Sequence, residues 1–399
     1  MLHPRIDAAV HASGVDRALT LENEVVVPIA AAELAGMAVD SERLTAFAVA
    51  QRNEATAAET VVQQVLGTSV NIRSPQQLIA AVHANLGIEL RSTKATDIAD
   101  QIGEHVVGKE LLRYKSTAGL AKTVEGLLDA VGTDGRIHPS FKPLAAATGR
   151  MSCSKPNLQS VPKGSGLREC FVPAPGHRFV IADYAAIELR VIAEIIGDAE
   201  LRRCFIEGID PHKRTAASVL GKEIGDVTRE ERGRVKAINF GFCFGMGIHA
   251  FVAYARDVYG VIYTIEQATQ AREAYFRLYA GIAAWHQRTK CEGKLVARTA
   301  SGRLRRFDEF RFTEALNQPI QGTAADGMKR ALTLLHAALK PLGARLVNVV
   351  HDEVVVETPT ENADATVIVV RAALVDGMKM FLKVVPVEVE VNVASSWSK

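Results

Sequence analysis

Three observations on the 399-residue chain predict an α+β fold. The clearest strand-like runs are HRFVIADY at 177–184, VNVVHDEVVVE at 347–357 and VPVEVEVNV at 385–393, all in the second part of the sequence. Residues 18–125 carry helical periodicity instead. Further helical stretches lie between the strands, so a sheet layer with helical excursions is expected.

Composition narrows the class of protein. A hydrophobic content of 48% suits a soluble globular chain large enough for two or three subdomains. No apolar run approaches the ~20 residues of a membrane helix; VIVVRAALV, the best candidate, is cut by Arg371. The first residues, MLHPRIDAAV, include an acid and no apolar core of a signal peptide, so an intracellular, cytoplasmic protein is expected. The five cysteines show no metal-type spacing and read as reduced thiols. A net charge of +2 does not by itself suggest a nucleic-acid partner. The basic residues do cluster, in RGRVK at 232–236 and GRLRR at 302–306, as solvated faces or phosphate sites.

In chain order, Ser41 is expected to cap a helix ending at Gly67, and Ser74-Pro75 to open one ending at Gly87. Basic and hydroxyl residues recur late in this helical part, in RSTKAT (91–96) and YKSTAGLAKT (114–123). From about 133 the texture becomes rich in Gly, Ser, Pro and Asn, as in ATGRMSCSKPNLQSVP (147–162), and predicts loop or irregular strand. Residues 186–300 are mostly helical. A helix through GTAADGMKRALTLLHAAL precedes the hairpin at 347–357, whose apolar arms meet at a tip of His351, Asp352 and Glu353. A helix near 361–382 and the final strand complete the chain.

Two constellations could carry chemistry. Asp183 and Asp352 each follow an apolar strand, where a carboxylate is costly unless it meets a cation. Side by side they would make a hard oxygen site suited to Mg²⁺; singly, each could be a turn residue. Arg232, Lys236, Phe240 and Phe244 recur every four residues, along one face of a helix. Two cations followed by two aromatics suit a ligand with phosphates at one end and a flat base at the other. The same spacing also fits an amphipathic helix with core phenylalanines.

Together these segments resemble the family A DNA polymerases, over roughly residues 18–399. DYAAIELR (183–190), RGRVKAINFGFCFG (232–245) and VVHDEVV (349–355) are similar to that family's motifs A, B and C. TGRMSCSKPNLQSVP resembles its primer-template loop, and NQPIQGTAADGMK (317–329) its minor-groove helix. The resemblance implies a right-hand polymerase with an antiparallel-sheet palm, helical fingers and a helical thumb. Its parts would be a palm-associated N-terminal segment at 1–17, a thumb at 18–125, palm at 126–188, fingers at 189–300 and palm again at 301–399.

The resemblance also implies a division of labour. Asp183, Asp352 and the Tyr184 carbonyl would hold two Mg²⁺ ions, with Mn²⁺ able to substitute, and Glu353 would be a neighbouring catalytic carboxylate. Arg232, Lys236 and His212 would bind the triphosphate of an incoming dNTP, with Lys236 also the acid for pyrophosphate. Phe240 would pack on base and sugar, Phe244 would stack on a template base, and Glu188 would fill the space of a ribose 2′-hydroxyl. Arg150, Asn157, Gln159, Gln321, His351 and Lys122 would meet primer-template DNA. A monomer is expected.

Departures from the family pattern stand out. Ala185 and Ala186 replace its usual Ser-Gln, Phe244 replaces its usual Tyr and so lacks the hydroxyl aimed at Glu188, and the stretch at 303–316 is short. The thumb-like helices start almost at Met1, so no proofreading exonuclease is expected in this chain. Paired carboxylates also serve two-metal nucleases, and a silent DNA-binding accessory protein is a third reading; the triphosphate-type helix argues against the first, and intact Asp183, Asp352, Arg232 and Lys236 against the second.

Overall fold

The computed structural model describes residues 10–398, so most of the N-terminal segment expected at 1–17 lies outside the described residues. After a helical stretch at 10–13, the described residues form α1 (Asp16–Ala35), α2 (Ser41–Leu66), α3 (Pro75–Leu86), α4 (Ala95–Ile102) and α5 (Val106–Leu128). The cap of α2 is Asp40 rather than Ser41. Its carboxylate accepts from the Arg43 backbone N–H at 3.0 Å and pairs with the Arg43 side chain at 3.2 Å, two contacts that a hydroxyl one residue later cannot make. Ser74 and Gly87 cap α3 as the sequence predicts, with Gly87 left-handed at φ 70°. α2 and α5 lie along each other, and their far ends close with α3 and α4 around a separate small core that includes Val62, Leu78, Ile98 and Leu111.

Three short antiparallel pairs, β1 (Met37–Ala38) with β2 (Arg136–Ile137), β3 (Ser140–Lys142) with β4 (Ser152–Ser154) and β6 (Val296–Arg298) with β7 (Leu304–Arg306), stand apart from the main sheet. That sheet has four antiparallel strands in the order β10–β5–β9–β8: β5 (His177–Tyr184), β8 (Arg345–Val350), β9 (Glu353–Pro359) and β10 (Val389–Ala394). The central strands β5 and β9 are buried on both faces along most of their length, which accounts for their unbroken Val/Ile runs. Helices α14 (Phe312–Leu339) and α15 (Ala363–Lys379) pack on each other and on this sheet. They approach closely at Gly377, where an added Cβ would stand 2.5 Å from the Ala331 backbone nitrogen.

Between β5 and α14 come eight helices: α6 (Ile187–Ile196), α7 (Ala199–Ile206), α8 (Pro211–Leu220), α9 (Arg229–Arg234), α10 (Lys236–Cys243), α11 (Ile248–Tyr259), α12 (Ile265–Leu278) and α13 (Ala280–Glu292). The run expected to be one helix through 232–244 breaks at Val235, whose φ −78° and ψ −5° end α9 and open α10. Phe244 is the C-terminal cap of α10, outside the regular helix. The buried His286 ring donates to the Cys243 carbonyl at 2.8 Å and satisfies that helix end.

A buried polar cluster joins the start of the chain to α14. Asp326, fully buried, accepts from Thr299 at 2.7 Å, from Ser301 at 2.6 Å and from the Arg303 guanidinium. Arg303 and the buried Lys329 both also pair with Glu22 of α1. Removing one partner strands the other charges away from water. Asp326→Ala is therefore expected to cost about 3–5 kcal/mol in urea unfolding; a loss below 1 kcal/mol would show that the cluster contributes no more than a surface pair.

Candidate active site

The hairpin tip differs from its sequence reading. Val350 pairs with Glu353, so Glu353 opens β9 and the turn itself is His351 and Asp352. His351 takes the left-handed conformation at φ 57°, and Ala186, after the end of β5, does so at φ 52°. Two non-glycine residues in this sparsely populated region thus flank the two acids, a pattern found where a fold over-determines a functional turn. The ends of β5 and the hairpin are tied directly: the Tyr184 N–H donates to the Asp352 carbonyl at 3.3 Å. The Tyr184 hydroxyl points elsewhere, donating to the Leu374 carbonyl at 2.6 Å.

Asp183 and Asp352 are brought together, and Asp352 feels the Asp183 charge. Burial first, and the Asp183 carboxylate second, push the Asp352 carboxyl up to about 7. The Lys163 ammonium stands 3.7 Å from Asp183 Oδ2 and 3.1 Å from Glu353 Oε2. Glu353 itself is 1% exposed and accepts from Arg168 at 3.0 Å and from the Trp397 indole at 2.9 Å. Burial alone would raise its proton affinity, but Trp397, Lys163 and Arg168 outweigh it and hold the carboxyl below the ordinary range. Arg168 lies over the Trp397 ring at 4.1 Å, so the end of the described chain braces this carboxylate.

Beside the acids opens a cleft of about 590 Å³. Asp352, Ala186, His212, Arg232, Lys236 and Phe240 all line it. The spacing of four residues therefore does place Arg232, Lys236 and Phe240 on one surface, whereas Phe244 is half-buried against the main core and does not line the cleft. Asp210, which caps α8 by accepting from the His212 and Lys213 N–H groups, also binds Arg232 at 2.6 Å. Burial works to raise the Asp210 proton affinity, but Arg232 and the two N–H groups prevail and keep it low.

His212 is buried, and burial pushes it down to about 4. Its Nδ1 accepts from the Asn239 amide at 2.6 Å, which leaves the ring proton on Nε2. It is a neutral donor, not a cation.

Glu188 pairs with Arg150. Arg150, Gln159 and His351 meet under α14 beside Ala325, one turn along from the half-buried Gln321. Gln159 donates to the Val349 carbonyl at 3.1 Å, whereas the Asn157 side chain accepts from the Gln159 N–H at 3.0 Å and caps a local turn. Lys122 is exposed on α5 and contacts none of these residues in any described bond. Sequence reasoning missed Asp210, Asn239, Lys163, Arg168 and Trp397. The Asp210-Pro211 helix-start signature was there to be read; the others depend on long-range packing.

Fold and cleft together set an acid pair at the end of the sheet beside a surface of two cations and an aromatic ring. The model of DNA polymerase family A matches residues 41–399, and the chain belongs to that family. It is 34% identical to DNA polymerase I of Aquifex aeolicus, over 95% of this chain and 67% of that protein. It is 33% identical to the thermostable DNA polymerase I of Thermus aquaticus, over 96% of this chain but 49% of that protein. The chain thus spans about half to two thirds of these relatives' length. Among solved structures it is similar to the POL domain of Pol1 from M. smegmatis in complex with DNA primer-template and dNTP, with TM-score 0.85 and 30% identity over 94% of this chain and 70% of that one. The right-hand polymerase fold follows.

The raised Asp352 carboxyl carries a sign that can be tested. The folded chain holds a proton that the unfolded chain releases near pH 4, so this group costs stability as pH rises from about 4 through 7. With divalent cations chelated, Asp352→Asn is expected to be more stable than wild type at pH 8, by on the order of 1–3 kcal/mol. The difference should shrink towards pH 4. Equal stability of the two proteins at pH 8 would show that Asp352 is not strained by its neighbour.

Proposed function

We propose that this chain extends a DNA primer on a DNA template, adding dNTPs and releasing pyrophosphate. The observation that carries the reading is the shared cleft, in which Asp352 faces Arg232, Lys236 and Phe240. In this reading residues 18–125 act as the thumb, 189–300 as fingers, and 126–188 with 301–399 as the palm, working as a monomer.

The residues present fit two Mg²⁺ ions, or Mn²⁺ in their place. Asp183 and Asp352 are hard oxygen donors whose mutual repulsion calls for a cation. With only these two carboxylates as side-chain donors, such ions would need other oxygens to complete their shells, for which the Tyr184 carbonyl and the substrate phosphates would serve. When bound, such a pair activates the primer 3′-hydroxyl and stabilises the leaving pyrophosphate.

The chain's own groups do the rest. Arg232 exchanges Asp210 for phosphate oxygens, an ion pair for an ion pair. His212 donates its Nε2–H, and Lys236 supplies charge and then a proton to pyrophosphate. Phe240 packs on the base and sugar, and Glu188 closes the space beside the sugar. Phe244 stacks on the template base once the fingers move. Glu353, braced by Arg168 and Trp397, keeps the floor of the acid pair in place. Arg150, Asn157, Gln159, Gln321 and His351 follow the primer-template near the site, and Lys122 the duplex along the thumb.

Primer extension on a recessed template tests this directly. Asp352→Ala is expected to lower the rate on the order of a thousandfold or more. Arg232→Ala should raise KM for dNTP by about ten- to a hundredfold. A wild-type protein that binds DNA but incorporates nothing, or that degrades the primer without dNTP, contradicts the proposal.

A further inference from the structure

Two helical parts of the chain meet away from the main sheet, at a point that none of the sequence motifs marks. Arg256, in the last turn of α11, donates through Nη1 to Asp100 Oδ1 of α4 at 2.8 Å. Among the described residues this is the one ion pair that joins 41–128 to 187–292. Both partners are held from behind. Arg91 also pairs with Asp100, and the Gln101 side chain ties the chain before α4 to that helix. It accepts from the Arg91 N–H at 2.8 Å and donates to the Glu89 carbonyl at 2.8 Å. On the other side, Asp257 takes the Arg256 Nε–H at 2.8 Å.

The contact closes a circuit. α2 starts beside the sheet, where the Asp40 N–H donates to the Cys170 carbonyl at 2.8 Å. Its 26 residues carry the chain about 39 Å to the small core of Val62, Leu78 and Ile98. Asp100 stands on that core, two residues after Ile98. From Arg256 the path returns through α11 and α10 to Lys236, which lines the cleft with Asp352. Tyr259, three residues after Arg256 in the same helix, lines the cleft as well, so the circuit runs along the edge of the cleft. Its tip exposes Lys94 and Thr96, a cation and a hydroxyl of the kind that hold duplex phosphates.

We infer that Asp100 and Arg256 form a clasp that closes the chain around primer-template DNA and sets how many nucleotides are added in one binding event. The inference rests on the polymerase reading above, in which the two parts are thumb and fingers. A weak bond suits this work. The Asp100 and Arg256 side chains keep 39% and 33% exposure, so their pairing shifts closure by no more than about fivefold. Duplex enters when the clasp opens and slides lengthwise while it is shut.

Single-encounter primer extension, with a trap for released enzyme, reads the clasp directly. Arg256→Met and Asp100→Asn are each expected to shorten the products about two- to fivefold. The double variant should shorten them no further. Incorporation of one matched dNTP by pre-bound enzyme should keep its kcat and KM, because neither residue lines the cleft. Unchanged product length, or an equal loss in single-nucleotide incorporation, overturns the inference. A second measurement asks what the ring surrounds. Asp100→Cys and Arg256→Cys are combined with Cys291→Ser, which removes the exposed native thiol, and bridged by a bis-maleimide after loading on a gapped circular duplex. The bridged protein should stay on the circle in high salt and leave it once the circle is cut. Loss from the intact circle as fast as unbridged protein shows that the ring closes beside the DNA and overturns the inference. Wild-type failure to extend any primer overturns the polymerase reading instead, and retention on the circle still decides whether the clasp surrounds DNA.

Discussion

Two half-buried carboxylates, the one raising the proton affinity of the other, set the terms for the rest of this structure. Asp183 is the penultimate residue of β5 and Asp352 lies in the turn before β9, and pairing of those strands holds them side by side. An isolated carboxylate would protonate or turn to water; here the sheet register, the Tyr184 bond to the Asp352 carbonyl and two left-handed residues hold both in place. The cost is met by packing elsewhere, in Val-rich strands and in the close crossing of α14 and α15. Such an acid pair fits the cation site proposed above, where a positive charge would relieve the repulsion.

The surrounding charges show a consistent resting arrangement. Arg232 lies on Asp210, Arg150 on Glu188, and Lys163 beside Asp183 and Glu353. In the polymerase reading proposed above, Arg232 would pass from Asp210 to a phosphate oxygen, one ion pair replacing another. Neutral His212 departs from this pattern. Its proton is fixed on Nε2 by Asn239, so it can donate to an oxygen without adding charge.

Much of this was legible in the sequence because it is local. Strands β5 and β9 appear as apolar runs, the caps at Ser74 and Gly87 follow from residue type, and Arg232, Lys236 and Phe240 share a surface because four-residue spacing survives a single break in a helix. Other features were not legible because competition between neighbours or distant packing decides them. Asp40 takes the cap from Ser41 through its second contact with Arg43. The break at Val235 and the end of α10 leave Phe244 off the cleft, although its spacing fits the pattern. Glu353 looks like a tip residue until the register with Val350 places it in the strand. The brace of Arg168 and Trp397 joins residues far apart in the chain, and no local pattern encodes it.

The central claim is that Asp183 and Asp352 form one cation site rather than two independent acids. Titration of Mn²⁺ by electron paramagnetic resonance, on wild type, Asp183→Asn, Asp352→Asn and the double variant, with primer-template and a non-hydrolysable dNTP present, tests it most directly. The account predicts that either single substitution weakens Mn²⁺ binding almost as much as both together, because two donors that share their ions lose them jointly. Losses that simply add, or Mn²⁺ binding untouched by either substitution, would contradict it.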